Sequence, residues 1–310
     1  MLLRVRPAVG IAFLTAIAVA LTSPSPAPAQ DKDKDKDKDK ELVKQAKDTA
    51  LANLKKAGLE KPTVMETNNF IIVGSVSAEK AKALGEVLEK TTTLTRKTLK
   101  YDEKEVSWKG KLTVYFVPDN AEYKSLMRRA FQQPPEGAFA DLRAEPPFIV
   151  DPAEVTGKAT DADLYAITAA RVSGEHLKAR GTGAQTIPDW LRDGFGRVTA
   201  MRAEGTTSKR YVAYKSQAKA ALTKGARPPA LADVWSDAKS ANGEVLATSF
   251  AEYLAYGPGA SKFQMFLDGL KPSENIAMPT VQQGLDAAGW KEKDLPALDL
   301  AWRRWISAGK

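Results

Sequence analysis

Two regimes of hydrophobic spacing divide this chain. Up to about residue 150, short β-type runs alternate with helical stripes. Beyond about residue 160 only helical spacing persists. Leu42, Ala46, Ala50 and Leu54 form one stripe and predict a helix over 41–57, ended by Gly58. Phe70 to Val73 is a short strand closed by Gly74. Ser77 caps a helix running to about Lys100, with Leu84, Val87, Leu88, Thr91 and Leu94 at helical intervals. The run KLTVYFV, Lys111 to Val117, is the strongest strand signal and stops at Pro118. Asp119 or Asn120 then caps a helix through Leu126 and Phe131. A loop rich in Pro and Gly follows from Gln132 to about Arg143, and Phe148 to Val150, flanked by prolines, predicts an edge strand.

Thr160 with Asp163 resembles a capping box, and Leu164, Ile167 and Val172 lie on the apolar face of the helix behind it. Ile187-Pro188 opens another helix carrying Trp190, Leu191 and Phe195. Helices are expected from Glu244 to Tyr256, Ser261 to Leu270, Pro279 to Ala288 and Leu295 to Ile306, the last with Leu298, Trp302 and Trp305 as core. The predicted class is α+β: a small mixed sheet with helices in the N-terminal half, and a mostly helical C-terminal half.

The first 29 residues carry a different pattern. Arg4 and Arg6 precede an apolar run from Val9 to Leu21, and Ala27-Pro28-Ala29 fits a cleavage site, so a signal peptide is expected and export follows from it. The run is short for a membrane span, so no stable span is expected after cleavage. Asp31 to Lys40 is five Asp-Lys repeats, whose charges cancel and which bury nothing; residues 30–40 are expected to be a disordered tether. Residues 41–310 read as one domain: 41–59 an N-terminal helix, 63–152 the α/β part, 160–310 the helical part.

Charge excludes one class of partner. The net charge is +8, and basic pairs such as Lys55-Lys56, Arg128-Arg129 and Arg303-Arg304 are scattered along the chain. No nucleic-acid footprint is expected from that distribution.

Composition narrows the chemistry further. Among 310 residues there is one histidine, His176, and no cysteine. Zinc sites draw on Cys, His and carboxylates, and Ser-His-Asp or Cys-His sites require a histidine base. S-x-x-K occurs at Ser77-Lys80, Ser216-Lys219 and Ser236-Lys239 without its companion motifs, and Gly181-Thr182-Gly183 reads as a loop.

The order of elements, ending in I-P-D-W-L-R-D-G-F-G, resembles a peptidase MA-like, gluzincin-type metalloprotease domain. Pro188, Trp190, Leu191 and Gly194 match that family's P-x-W-L-x-E-G, with Asp193 where the family carries its third zinc ligand. Ser249 to Leu254 before Tyr256-Gly257 is similar to its helix ending in Y-G, and the segments from Lys262 and Leu300 resemble its closing helices. The resemblance implies an H-E-x-x-H helix within residues 161–177. The preferred register sets Thr168 and Val172 at the histidine positions and Ala169 at the catalytic Glu; the neighbouring one uses Ala169, Ala170 and Ser173. Neither supplies ligands or base.

Two other cleft candidates are Glu175 and His176, which with Asp189, Asp193 and Glu204 would make a weak divalent-ion site. The alternative is a histidine near a helix C-terminus, where the macrodipole favours its charge. The expectation is thus a non-hydrolytic, peptidase-like domain without cofactor, binding an unidentified protein, peptide or envelope ligand through the former substrate cleft. The alternatives are a hydrolase with a non-standard site and a structural envelope protein.

Overall fold

The computed structural model describes residues 32–151, 159–180, 187–223, 230–236 and 241–309. The expected signal and the Gly181-Thr182-Gly183 loop lie outside them. Helix α1 (Lys32–Ala57) buries Ala46, Ala50 and Leu54, as its stripe requires. It begins at Lys32, inside the Asp-Lys run. A helix nucleated by its amphipathic part propagates at one hydrogen bond per added residue. Lys38, Asp39 and Lys40 are exposed.

Strands β1 (Thr63–Glu66), β2 (Phe70–Gly74) and β3 (Leu112–Phe116) alternate with helices α2 (Ala78–Thr98) and α3 (Asn120–Leu126); β4 (Phe139–Asp141) and β5 (Phe148–Asp151) complete one five-stranded sheet. Its order is β1-β2-β3-β5-β4, parallel through β2, β3 and β5 and antiparallel at both edges. The caps are those expected: Ser77 accepts from the Lys80 N–H and Asp119 from the Glu122 N–H.

Each central strand is buried on both faces, as parallel strands between helical layers are. Alternate residues divide between two cores. Phe70, Ile72, Val114, Phe116 and Ile149 pack against α2 and against α4 (Asp161–Arg180). Ile71, Val73, Tyr115, Val117 and Val150 pack against α1 and α3.

The strand at Phe148 is interior, which corrects the edge assignment. Pro146 and Pro147 precede it, and the Pro147 carbonyl accepts from the Thr113 N–H, so neither removes a donor that the ladder needs. The edge on that side is β4, inside the segment expected to be loop. Phe139 on β4 packs 5.3 Å from Phe148 and 5.7 Å from Phe131, ring centre to ring centre, and Phe131 stacks on Phe148 at 5.1 Å. That aromatic nest holds a three-residue strand which pairing alone would leave marginal.

Helices α5 (Asp189–Glu204), α6 (Lys209–Thr223), α7 (Asp233–Ser236), α8 (Ala241–Ala255), α9 (Phe263–Gly269), α10 (Val281–Ala287) and α11 (Leu295–Ser307) build the other half around Phe195, Phe250, Phe263, Phe266 and Trp302. Among the described residues no helix is long and apolar enough to cross a membrane. The two halves meet at α4 and α5. A methyl group at Gly196 would lie far inside contact distance of the Ala170 carbonyl oxygen, one at Gly174 would lie 2.9 Å from the Arg192 carbonyl oxygen, and one at Gly194 would lie 2.9 Å from that of Ala247. The D-G-F-G segment therefore lets α5 approach α4 on one side and α8 on the other.

A buried carboxylate ties three of these helices together. Glu252 on α8 is wholly buried and accepts from Arg202 Nη1 of α5 at 2.8 Å, and from Tyr211, Tyr214 (3.1 Å) and Lys215 Nζ (3.1 Å) of α6. Lys215 also sits 3.9 Å over the Trp305 ring of α11.

Two stability losses follow. Gly196→Ala has to separate α4 from α5, and urea unfolding should show a loss of about 1–3 kcal/mol or more. Glu252→Ala leaves two cations facing an unfilled site and should cost about 3–5 kcal/mol. A loss below about 0.5 kcal/mol, the level of an ordinary surface change, would contradict the packing at either position.

Candidate functional site

A cleft of about 530 Å³ opens between the segment leading into β4 and the α4–α5 pair. Its lining joins three elements: Gly137 and Ala138 at the entry to β4; Ile167, Ala170, Arg171, Gly174 and Glu175 on α4; and Arg192, Asp193 and Arg197 on α5. The local sequence explains the opening. Ala166, Ala170 and Gly174 recur every four residues along one face of α4, and α5 answers with Gly196 and Ala200. Backbones thus meet closely while no large side chain fills the seam. The cleft continues into a cavity of about 300 Å³ that shares Ile167, Ala170 and Arg197 and adds Ala166, Ala200 and Arg210. Tyr123 fixes the β4 rim, its hydroxyl donating to the Gly137 carbonyl.

The charged groups of the cleft are interlocked. Arg192 is 2.7 Å from Asp193, 3.0 Å from Asp189 and 4.0 Å from Glu175, which also pairs with Lys178. Arg197 pairs with Glu244 at 3.2 Å. Arg171 pairs with Asp151, the wholly buried last residue of β5, whose other oxygen accepts from the Thr168 hydroxyl. At the far end Asp163 closes the Thr160 cap and meets Arg210 at 2.7 Å; that pair, with the cap, holds its carboxyl down at about 2.

Of the residues that the sequence singled out, Glu175 and Asp193 line the cleft. Thr168, Ala169 and Val172 do not: all three are buried. Ala169 and Val172 pack on the sheet, and Thr168 turns inward to Asp151. The neighbouring register fares little better: Ala170 reaches the cleft, whereas Ser173 is buried against the Thr95 hydroxyl at 3.1 Å. Adjacent helical residues point about 100° apart, so shifting the register by one residue exchanges core for cleft.

The same geometry separates Glu175 from His176. The imidazole is wholly buried, 4.9 Å from the Tyr101 ring and 5.2 Å from Trp108, and neither nitrogen has a hydrogen-bond partner among the described residues. Burial, aided by the Arg96 charge, depresses its pKa to about 3. The ring is neutral, which corrects the expectation of a charged histidine favoured by the helix end.

The residues present do not fit a zinc ion. The single imidazole lies in the core, and α4 turns a guanidinium and small side chains toward the cleft. Among the described residues no three His, Asp or Glu side chains gather as a metal-holding group. The S-x-x-K serines serve their own helices: Ser77 caps α2, Ser216 donates to the Val212 carbonyl and Ser236 to that of Ala232. Residues missed by sequence reading are Arg171 as a cleft wall and the Gly137-Ala138 rim.

No protein-family model matches the chain, and no curated protein matches it significantly.

His176 sets an acid response. Its folded pKa lies below the ordinary value of 6.5. Stability is therefore complete above pH 6.5 and falls as the pH drops, because the unfolded chain takes up a proton that the fold refuses. The loss approaches about 1.4 kcal/mol per pH unit below that point. His176→Leu should flatten the stability–pH curve between about pH 6.5 and 5, above the carboxylate range. Equal slopes for the two proteins would show that the ring protonates in the folded state.

Proposed function

We propose that this chain is an exported binding module with a peptidase MA-like, gluzincin-type fold that no longer hydrolyses peptides. In this reading it takes an extended peptide along the edge of β4 and into the α4–α5 cleft. One observation carries it: β4 pairs on one side only among the described residues, and the residues leading into it line the same cavity as α4 and α5. An unpaired strand edge offers main-chain donors and acceptors to an extended chain, and an adjoining cavity sorts side chains. Export is supported by the Arg4 to Ala29 pattern.

Non-hydrolysis is supported by the cleft's donor set. If α4 corresponds to the zinc helix of that family, its cleft-facing positions put Ala170 and Gly174 where two imidazoles belong and Arg171 where the general base belongs. A side chain at Gly174 would press on the Arg192 carbonyl, so an imidazole there requires α5 to move. Glu175 and Asp193, the carboxylates that remain, are engaged by Arg192.

The test uses a pool of random octapeptides with free termini, equilibrated with residues 30–310 and separated by gel filtration. Peptides should co-elute with the protein, be recovered at full length, and slow amide exchange in residues 137–141. Failure to co-elute, or protection confined to other segments, would overturn the binding mode. Cleaved peptides would overturn the non-hydrolytic reading in favour of a hydrolase built on Glu175 and Asp193.

A further inference from the structure

The three guanidinium groups of the cleft are not equivalent. Arg192 meets the carboxylates of Asp189, Asp193 and Glu175, and Arg197 is paired across to α8 through Glu244. Arg171 has Asp151 as its only ion-pair partner among the described residues, and that contact is made through Nη1. A guanidinium carries five N–H donors in a rigid fork, so one carboxylate at one nitrogen leaves donors for a second planar anion.

The way Arg171 is held is that of a positioned group. Asp151 ends β5 beneath α4 and is wholly buried, and its other oxygen is taken by Thr168, one turn before Arg171 on the same helix. A buried carboxylate, itself fixed by a hydroxyl, therefore orients the guanidinium while 27% of the side chain remains exposed in the cleft. An arginine used only to neutralise Asp151 would not have to line a cavity. On the facing rim, Tyr123 fixes the Gly137 carbonyl.

Resting on the peptide reading above, we propose that Arg171 is the anion-recognising group of this cleft, and that the peptides it takes present a carboxylate there. The carboxylate is supplied either by a free C-terminus or by an Asp or Glu side chain. Asp193 and Arg197 act on Arg171 with opposite signs, and Glu175 lies one turn along α4. Because Arg192 engages both Glu175 and Asp193, their charge opposes an incoming anion less than two free carboxylates would. The fork geometry selects a planar, bidentate anion over a point charge such as chloride.

The experiment varies the peptide, so the wild-type protein decides it. Three octapeptide pools without other acidic residues are compared: free C-terminal acids, C-terminal amides, and amides with Asp fixed at one central position. At least one carboxylate-bearing pool should bind about tenfold more tightly than the plain amides, the scale of one charge-assisted bidentate contact. The acid pool winning identifies a C-terminus as the source, and the Asp pool winning identifies a side chain. Arg171→Lys keeps a charge for Asp151 but loses the fork, and should reduce the preference several-fold with the melting temperature little changed. Equal binding of all three pools overturns the inference and leaves the peptide reading standing. Absence of binding by every pool removes both. If Arg171→Lys retains the full preference, another group recognises the carboxylate and the assignment to Arg171 is wrong.

Discussion

The close approach of α4 and α5 governs both halves of this molecule. One face of α4 belongs to the sheet core through Leu164, Ala169 and Val172, while α5 contributes Trp190, Leu191 and Phe195 to the helical core. Gly174 and Gly196 bring the two backbones together where any Cβ would meet a carbonyl of the other helix. Interiors pack densely and cannot absorb an added methyl group without displacement. The orientation of the helical half against the sheet is therefore fixed by the absence of side chains. The cleft is a by-product: the small residues that permit the contact leave the seam unfilled on its open side.

Two buried carboxylates stabilise the arms of this arrangement in different ways. Glu252 is surrounded by two cations and two tyrosine hydroxyls, so its charge is spent inside the helical half. Desolvation and the neighbouring carboxylate together keep both tyrosine hydroxyls protonated. Among the described residues Asp151 has a single cation and a single hydroxyl, and its cation lines the cleft. The first arrangement is closed on itself. The second couples the end of the sheet to the wall of the cleft.

The helices with strong periodicity and capping residues were legible in the sequence: α2, α5, α8, α10 and α11 lie close to where spacing put them. Helix α6 was missed because its buried stripe of Tyr211, Tyr214, Ala218, Ala221 and Leu222 is diluted by lysines and alanines that belong equally to a loop. Strand β4 has three residues, and the rings that secure it come from Phe131 and Phe148, far along the chain for a local pattern to connect. The side of α4 that faces the cleft was not legible for a related reason. Ala169 and Ala170 are the same residue type, yet one is in the core and the other in the cleft, because α4 is apolar on more than one side and its periodicity selects no single face. Arg171 was illegible because scattered basic residues look alike until folding assigns partners.

The alanine and glycine floor of the cleft has a thermodynamic corollary. Side chains without rotamers lose no rotational freedom when something settles on them, whereas each long side chain immobilised at an interface costs about 0.5–1.5 kcal/mol. Contact with Ala166, Ala170 and Gly174 is therefore free of that charge, and it is equally indifferent to what makes it. On the proposed reading, discrimination would fall to the arginine walls, which are paired with carboxylates in the folded chain itself. The seam that holds the fold together is thus also a preorganised surface, whose ordering entropy was lost during folding.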